Sequence, residues 1–355
     1  MDGTSIQETK QHPQLPKEFV ERVFLGFAST QALFAACKLK IFDSLHEQPN
    51  SASGLREKLS TDTHLMGLTM LLDTLVSLQL LHKDTSVVPN QYENTPAADR
   101  FLVTTSKHSF TGFVKFFMTQ VQPRLTTDNL VRAIQEEETV IGETWKVLYQ
   151  TKEDILVFHE GFDHLMSIEA PTLLSAFDLG GFTHICDLGG GTGRLAYEAS
   201  QLYPDKKLTV FELPQVVDVA DQFKPCADDY PNRDHVSFIG GDLFTDDLPK
   251  ADLFTIVRIV HDWGEEKSDL LLGKIFRTLP SGGGVLLGEI LLPEDKTGHI
   301  TGNLMSMLML AFADSGSRER TAQEYKELFQ KHGFVNVQAR TTDAAFCDAV
   351  LAIKP

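Results

Sequence analysis

The sequence predicts an α/β protein, with an open, mostly parallel sheet in the C-terminal half and a mostly helical N-terminal domain. From Gly180 onward, strand-like apolar stretches alternate with helical ones, which is the pattern of a parallel sheet covered by helices. A glycine-rich turn directly follows the first of these strands. Before Gly180, apolar residues recur mainly at helical spacing. In such sheets, ligands bind beyond the carboxyl ends of the strands.

Length and composition narrow the function classes. The 355 residues correspond to about two domains of ~150 residues, and a chain that is 42% hydrophobic and 23% charged is typical of a globular protein. The formal net charge of -17 disfavours nucleic acid and anionic membranes as partners. No apolar run approaches the ~18 residues of a membrane span. The polar N-terminus lacks the apolar centre of a signal peptide, so we expect a cytoplasmic protein.

The cysteines and histidines show no metal-ligand spacing, so we expect no metal site. No two cysteines form a Cys-x-x-Cys pair. We expect free, buried thiols in a reducing compartment at all four positions. The four are Cys37, Cys186, Cys226 and Cys347.

The N-terminal part is predicted to be a tail followed by a compact helical domain. Residues 1–16 contain two prolines and few apolar side chains, which indicates a flexible tail. Within 17–110, apolar positions predict one or two amphipathic helices at 19–45 and another at 64–81, and short alternating stretches around Pro89 predict a β-hairpin. Helices followed by a hairpin indicate a winged-helix unit. Because it lacks a basic cluster, we expect dimerisation or packing rather than DNA binding. The apolar N-terminal helices predict a homodimer, since such surfaces rarely stay exposed.

Residues 111–179 are predicted to be a helical connector that contributes to the substrate pocket. Phe158, Phe162 and Met166 recur at helix spacing, and Pro171 is expected to kink or restart the helix. A stripe of Phe and Met is more often part of a core than of a pocket. Both interpretations stay open for this stripe.

Residues 180–355 are predicted to form the sheet domain. Helices are expected at 194–204, 215–223 and 322–333, the last ending at a glycine cap, Gly333. The expected strands are 184–189, 207–213, 235–242, 251–260, 282–292, 334–341 and 347–354.

The turn after the first strand, Asp187–Gly193, has the form of a cofactor site. Its glycines permit positive φ and close approach of a ligand, and the following helix offers free N–H groups to an anion. Glu212 ends the second strand, where a carboxylate accepts hydrogen bonds from ribose hydroxyls. NAD sites use G-x-G-x-x-G, but Arg194 stands at the third glycine position here. The pattern instead resembles the motif of class I S-adenosylmethionine-dependent methyltransferases. The alternative is a turn with purely structural glycines.

Two further segments complete the predicted site. Asp242 follows the third strand, and its carboxylate could bind an adenine amino group while Leu243 and Phe244 pack on the ring. His261 follows the fourth strand, at the rim where the ligand is expected. Imidazole titrates near neutrality, which makes His261 a candidate general base.

The segment RIVHDW at 258–263 resembles the motif of the small-molecule O-methyltransferases of plants and animals. CDLGGGTG, TVFELPQVV, GDLFTDDLP, GGGVLLGEILL and SRERTAQEY match that family in order. The N-terminal ASTQALFAACKLKIFDSL and the final DAVLAIK fit the animal branch best, which is that of the acetylserotonin O-methyltransferases and their relatives. The resemblance implies a winged-helix dimerisation domain followed by a Rossmann-like class I methyltransferase sheet. It implies S-adenosylmethionine as cofactor, S-adenosylhomocysteine as product, and no metal.

The resemblance also implies roles for individual residues. His261 matches the general base, Glu289 and Glu319 match carboxylates that orient it, and Asp262 and Arg258 match residues that line the site. Without the resemblance, Glu289 could equally be a surface acid at a strand end, and Glu319 a charge at a helix start. The predicted cofactor-binding residues are Asp187, Gly189, Gly191, Gly193, Glu212, Asp242, Leu243, Phe244 and Arg258.

The implied acceptor is a small aromatic hydroxyl compound, a hydroxyindole such as N-acetylserotonin or another phenol. The predicted substrate pocket comprises Phe158, Phe162, Met166 and Leu308. Leu308 stands where the acetylserotonin enzymes have an asparagine that contacts the indole, and the segment around it is about two residues longer than theirs. An altered pocket leaves a non-catalytic cofactor-binding relative as the alternative. A cofactor-sensing DNA-binding regulator is disfavoured by the acidic charge.

Overall fold

The computed structural model describes residues 17–59, 62–136 and 148–355. The chain divides into two compact units, one ending at Val103 and one beginning at Thr104. The predicted tail at 1–16 and residues 137–147 of the predicted connector lie outside the described residues. No helix in the described part is both long and apolar enough to cross a bilayer. The cellular location stays a prediction.

The N-terminal unit consists of helices followed by a hairpin. Ser51 and Thr95 cap helices through side-chain oxygens that accept backbone N–H bonds from Gly54 and Ala98. The predicted hairpin is confirmed, because β1 and β2 pair antiparallel on either side of Pro89. A core that includes Phe42 joins these elements. The elements are α1 (Lys17–Lys38), α2 (Ile41–Glu47), α3 (Ala52–Lys58), α4 (Leu65–Ser77), β1 (Leu81–Asp84), β2 (Gln91–Asn94) and α5 (Pro96–Phe101).

The second unit begins with helices that precede the sheet. A capping box between Thr151 and Asp154 starts the longest of them. This helix does not restart at Pro171, contrary to one of the expected outcomes. Its neighbours Ala170, Leu173 and Leu174 are fully buried, so packing outweighs the lost backbone hydrogen bond. The elements are α6 (Thr111–Phe116), a π-helical turn (Phe117–Val121), α7 (Thr127–Glu136) and α8 (Lys152–Ser175).

The sheet has seven strands in the order β10-β11-β7-β6-β3-β4-β5. Strands β3 to β7 run parallel, and β11 and β10 are added antiparallel at one edge. The prediction of an open, mostly parallel sheet is therefore confirmed. The strands are β3 (His184–Leu188), β4 (Lys207–Glu212), β5 (Val236–Gly240), β6 (Leu253–Val257), β7 (Gly284–Glu289), β10 (Val335–Arg340) and β11 (Asp348–Ile353).

Five further α-helices and a two-stranded ladder accompany the sheet in the described part of this unit. The predicted long strand at 282–292 breaks at Ile290, and its last two residues form β8, which pairs with β9. The strand predicted at 251–260 ends at Val257 because Arg258 adopts a positive φ of 55°. The predicted glycine cap is confirmed, with Gly333 at φ 93°. The elements are α9 (Arg194–Leu202), α10 (Pro214–Ala220), α11 (Glu265–Thr278), β8 (Leu291–Leu292), α12 (Ile300–Phe312), β9 (Arg320–Thr321) and α13 (Ala322–Lys331).

All four cysteines are free, as predicted. Cys186 and Cys347 are buried and Cys37 is half-buried. The prediction of a buried thiol is wrong for Cys226, which is exposed because it lies in the irregular segment between α10 and β5 rather than on an element facing the core.

The order of the strands fixes where a ligand fits. Strand β3 lies in the middle, with β4 on one side and β6 on the other, so the chain reverses its direction of strand addition at β3. Such a reversal leaves a crevice at the carboxyl ends of the strands. The glycine-rich turn, the segment after β6 and the end of β7 all meet at this edge.

Candidate active site

A cavity of about 380 Å³ lies at the carboxyl ends of the parallel strands. Its walls come from the turn after β3, the ends of β4 and β5, the segment after β6, and helices α6, α8 and α12. Gly193, Glu289 and Glu319 do not line it directly. The predicted site residues that do are Phe158, Phe162, Met166, Asp187, Gly189, Gly191, Glu212, Asp242, Leu243, Phe244, Arg258, His261, Asp262 and Leu308.

The glycine turn needs the backbone freedom that glycine provides. Gly189, Gly191 and Gly193 have φ of 67°, 55° and 87°, in the left-handed region that L-residues adopt only under strain. A Cβ at Gly189 would lie 2.7 Å from the side chain of Ile259. A Cβ at Gly193 would lie 2.7 Å from Phe238, so this glycine packs against the sheet while the other two face the cavity.

Two carboxylates lie beside the turn, a half-buried one at Glu212 and a buried one at Asp187. Glu212 Oε2 accepts the backbone N–H of Gly191 at 2.8 Å, and its Oε1 accepts the N–H of Leu213. Burial raises the pKa of Glu212, and these backbone bonds oppose the rise. Asp187 accepts the Thr255 hydroxyl at 2.6 Å, and burial raises its pKa to about 7. The carboxylate of Glu212 is therefore fixed at the strand end, facing the cavity.

The loop after β5 lines the cavity beside the glycine turn. Asp242 Oδ1 accepts the N–H groups of Phe244 and Thr245, which fixes the carboxylate at the loop's start. The ring of Phe244 packs edge-on against Trp263, with centroids 5.1 Å apart. Leu243 lies 3.6 Å from the position of a Cβ at Gly189. Asp242, Leu243 and Phe244 therefore line the cavity beside the glycine turn.

His261 is buried and its ring is held by a single short contact. Nδ1 lies 2.8 Å from Glu319 Oε1, within hydrogen-bond distance, and 3.5 Å from Glu289 Oε2. Burial alone would lower the pKa of His261, but the charges of Glu289, Glu319 and Asp262 raise it to about 9. Because Nδ1 is occupied by Glu319, Nε2 is the nitrogen left to accept a proton from a ligand.

Glu289 shapes the backbone that carries the histidine. Its Oε1 accepts the N–H groups of Ile259, Val260 and His261 at 3.1, 2.8 and 3.3 Å. Glu289 is fully buried, so the alternative of a surface acid is wrong. Burial raises the pKa of Glu289 to about 7, and the neighbouring His261 opposes that rise. This carboxylate therefore positions the turn as well as adding charge beside the ring.

A second segment, 314–320, forms hydrogen bonds with the turn that carries His261. The backbone N–H of Arg318 donates to His261 O, and that of Asp314 donates to Asp262 O, each at 3.0 Å. The buried Arg320 donates to Val260 O and Trp263 O. Glu319, in the same segment, is buried against the ring rather than free at a helix start, so the alternative of a helix-terminal charge is wrong.

Asp262 and Arg258 occupy the two flanks of His261. Asp262 Oδ1 lies 3.5 Å from His261 Nε2. Burial raises the pKa of Asp262 to about 6, against the lowering effect of His261. The guanidinium of Arg258 lies over Phe162 at 5.4 Å and donates to Phe346 O at 3.3 Å. Arg258 therefore packs against aromatic side chains, and its predicted role in cofactor binding stays a prediction.

Ligand atoms of His261, Glu289 and Glu319 lie within 4.8 Å of one another, as a bound metal ion would require. However, Glu289 uses Oε1 for three backbone N–H groups and Glu319 uses Oε1 for the imidazole. We therefore interpret the group as an oriented base, and the expectation of no metal stays a prediction.

Helix α8 presents two different faces, of which the sequence revealed one. Phe158, Phe162 and Met166 line the cavity. On the neighbouring stripe, the Asp163 carboxylate accepts hydrogen bonds from Arg194 Nε (3.1 Å) and Nη2 (2.7 Å), and from the hydroxyl of Thr192. His159 Nε2 lies 3.0 Å from the Tyr149 hydroxyl, while its Nδ1 lies 3.1 Å from the position of a Cβ at Gly191.

These braces of the glycine turn were missed by sequence reasoning. Burial lowers the pKa of His159 to about 3, so the ring is neutral. His159 and Asp163 recur four residues apart on a predicted helix, which was a visible signal of a polar stripe. The partners of Asp163, Thr192 and Arg194, lie about thirty positions further along, and no local pattern connects the two segments.

The other wall of the cavity is apolar. Phe158 stacks on Phe162 at 4.5 Å, and Phe116 meets Phe158 edge-on at 5.1 Å. The described residues that α6, the π-helical turn and α12 contribute to the cavity are all apolar. They are Phe113, Phe116, Phe117, Val121, Met305, Leu308, Met309 and Phe312. The stripe on α8 is thus both packed in a core cluster and exposed to the cavity.

Comparison with known families decides the class of this site. A model of the O-methyltransferase domain matches residues 127–335, and a model of the O-methyltransferase dimerisation domain matches residues 21–104. The chain belongs to the O-methyltransferase family. The predicted class of enzyme, an S-adenosylmethionine-dependent O-methyltransferase with an N-terminal dimerisation domain, is therefore confirmed at the level of the family.

Individual relatives of this O-methyltransferase agree. The acetylserotonin O-methyltransferases of Homo sapiens and Macaca mulatta are 36% and 35% identical over 337 residues, covering 93% of this chain and 95% of each relative. The crystal structure of human N-acetylserotonin methyltransferase in complex with SAM matches 97% of this chain and 99% of that one. Its TM-score is 0.88 at 33% identity.

Proposed function

We propose that this O-methyltransferase moves a methyl group from S-adenosylmethionine to the hydroxyl of a small aromatic acceptor, with His261 as general base. One observation carries the proposal. His261 Nδ1 lies 2.8 Å from Glu319 Oε1, which leaves Nε2 for a proton at the wall of the cavity. A base oriented by a carboxylate at the edge of a cofactor cavity suits proton removal from a hydroxyl.

The cofactor would be held by the turn after β3 and the strand ends beside it. Glu212 would accept hydrogen bonds from the ribose hydroxyls, because its carboxylate is fixed there by Gly191 and Leu213. Asp242 would bind the adenine amino group, while Leu243 and Phe244 pack on the ring. Asp187, Gly189 and Gly191 would shape the backbone next to the methionine part, with Gly193 supporting the turn from the sheet side. S-adenosylmethionine supplies a methyl group on a positively charged sulfur, which leaves as a neutral thioether.

The protein's own contribution is alignment and proton removal. A phenol has a pKa near 10 and is mostly protonated at pH 7. In its neutral form, His261 Nε2 would take that proton as the hydroxyl reacts, which contributes roughly 10²–10⁴-fold. Glu319 and Glu289 stabilise the imidazolium that results. Holding the oxygen in line with the methyl group supplies much of the remaining rate.

The acceptor class follows from the helical wall and from the relatives. We propose a hydroxyindole or another phenol, with its ring among Phe158, Phe162, Met166 and Leu308. Two closely similar relatives are named for acetylserotonin. Aromatic walls of this kind favour a flat aromatic ligand.

The test is label transfer from methyl-tritiated S-adenosylmethionine to a panel of hydroxyindoles, catechols and phenols. We expect transfer to one class, and a fall of 10²–10⁴-fold in kcat for His261→Ala with cofactor affinity nearly unchanged. Wild-type turnover in His261→Ala would refute the base assignment. Retention of the cofactor with no transfer to any acceptor would favour the non-catalytic alternative.

We also propose that the N-terminal unit forms a homodimer. Helix α1 leaves Val23, Phe24 and Phe27 at least two-thirds exposed, which is costly for a monomer in water. The match of residues 21–104 to a dimerisation domain supports the same conclusion. Sedimentation at micromolar concentration should give twice the monomer mass, and Phe24→Asp with Phe27→Asp should reduce it. A monomeric wild-type protein would refute the proposal.

A further inference from the structure

The far wall of the cavity offers little for a polar substituent to bind. Helices α6 and α12 and the π-helical turn contribute only apolar residues to it within the described ranges 17–59, 62–136 and 148–355. Among them, Phe116, Met305, Leu308 and Phe312 face the same space as Phe158. This wall is formed by elements separate from the sheet.

The two amide side chains carried by these elements donate hydrogen bonds elsewhere. Gln120, on the π-helical turn, donates its amide to Asp154 O, and Asn303, on α12, donates to Lys296 O. Neither of them lines the cavity.

The guanidinium of Arg258, which lines the cavity, packs against aromatic rings beside this wall. Arg258 lies over Phe162 at 5.4 Å and over Phe346 at 5.8 Å, and it donates to Phe346 O. Burial raises the pKa of Glu169 to about 7, and the charge of Arg258 opposes that rise. Glu169 and Asp262 both interact electrostatically with the Arg258 guanidinium. The positive charge of Arg258 is therefore balanced by carboxylates of the protein rather than left to attract a ligand anion.

We infer that this site takes phenolic or hydroxyindole acceptors whose remaining substituents are apolar, and that it discriminates against acceptors carrying an amide on that side. The inference rests on the proposed function, because it presumes that the hydroxyl lies at His261. An amide that enters the wall loses its hydrogen bonds to water and gains none from Leu308 or its neighbours. An alkyl chain of the same length loses nothing and gains contact with the aromatic rings.

Two acceptors of equal length isolate this effect. N-acetylserotonin carries a five-atom chain that contains an amide, and 5-hydroxy-3-pentylindole carries an alkyl chain of the same length on the same hydroxyindole. We expect kcat/KM for the pentyl compound to exceed that for the amide by about 10- to 100-fold, the range that apolar pockets reach against a polar isostere. The Kd of each compound, measured by calorimetry with S-adenosylhomocysteine present, should differ in the same direction.

Leu308→Asn is the matching variant, since it places an amide on the wall. We expect it to lower the preference for the pentyl compound about tenfold, because the acceptor amide then has a partner. Leu270→Asn makes the same change at a half-exposed position of α11 outside the cavity, and should leave the preference unchanged.

The outcomes separate the inference from the proposed function. Equal or better turnover and binding of N-acetylserotonin would overturn the inference while leaving the methyltransferase activity in place. Absence of transfer to either compound and to the wider panel would count against the proposed function. The two Kd values would still decide the preference of the cavity in that case.

Discussion

The two walls of the cavity are held together by different forces. On the sheet side, hydrogen bonds fix each side chain: Glu289 Oε1 binds three backbone N–H groups and Glu319 lies within hydrogen-bond distance of the imidazole of His261. On the helical side, rings such as Phe158 and Phe162 make no such hydrogen-bond set and are placed mainly by packing against one another. Hydrogen-bonded groups have one acceptable geometry, whereas packed apolar groups tolerate changes of shape.

This difference teaches which substitutions alter the rate and which alter the choice of acceptor. Changes on the sheet side should lower kcat or the free energy of unfolding. Changes on the helical side should alter KM and the order of acceptors. Substitutions on the two sides can therefore test whether rate and acceptor choice are controlled separately.

The largest effect is expected for Glu289→Ala. It leaves the N–H groups of Ile259, Val260 and His261 buried without an acceptor, at about 1–3 kcal/mol for each unsatisfied group. We expect the free energy of unfolding to fall by about 3 kcal/mol or more, measured by urea titration, with loss of turnover. Glu289→Gln keeps an acceptor oxygen and should restore most of the stability. Equal loss in both variants would show that the charge, not the acceptor, matters.

The next effect is expected for Glu319→Gln, which removes a negative charge 2.8 Å from His261 Nδ1. We expect kcat to fall about 10- to 100-fold, because the imidazolium formed during proton transfer loses its nearest counter-charge. The KM for the cofactor should change little. Glu324→Gln, at the start of α13, is the control outside the cavity, since Glu324 is paired with Lys296 on the surface.

The same variant predicts a change in pH dependence. Glu289, Glu319 and Asp262 raise the pKa of His261 to about 9, so the ring holds a proton at neutral pH in the ligand-free protein. A protonated ring cannot accept a proton, so kcat/KM should rise with pH below that pKa. In Glu319→Gln the pKa should fall, and the rise should move to lower pH. An NMR titration in which the His261 resonance of the wild-type protein titrates near pH 6.5 would contradict this.

The sequence made the sheet side easy to predict because its signals are local. The glycines at 189–193, Glu212 and His261 each lie at the end of a recognisable strand, and that position alone put them at one edge. The partners of His261 were different. Glu319 lies 58 residues away, and only the family resemblance, not spacing, connected the two.

The helical side was harder to predict for a physical reason. A stripe such as Phe158 and Phe162 has the same spacing whether it faces a core or a cavity, and here it does both. The contact of Asp163 with Arg194 joins a helix to a turn 31 residues away, and no local rule predicts it. The end of β6 was predicted too late because Arg258 adopts a positive φ, although its neighbours Ile259 and Val260 have high strand propensity.

A smaller effect is expected for Gly191→Ala, at the joint between the two walls. The φ of 55° costs an L-residue about 1–2 kcal/mol, and the new Cβ would lie 3.1 Å from His159 Nδ1. We expect cofactor affinity to fall about tenfold, measured by calorimetry, with kcat at saturation less affected. Gly181→Ala, where the Cβ meets nothing, is the control. Unchanged affinity in Gly191→Ala would show that the turn tolerates a side chain.

The smallest effect is expected for Phe158→Leu on the helical side. The change removes the stacked contact with Phe162 and leaves a small cavity, at a cost of about 1 kcal/mol. We expect the KM for acceptors to change a few-fold, with their order of preference altered and kcat for the best acceptor nearly kept. Because Phe158 makes no hydrogen bond to the histidine cluster, the pH at which kcat/KM rises should stay as in the wild type. If Phe158→Leu instead lowered kcat and moved the pH profile as Glu319→Gln does, the two walls would not act separately. The packing of α8 would then help to hold His261 in place.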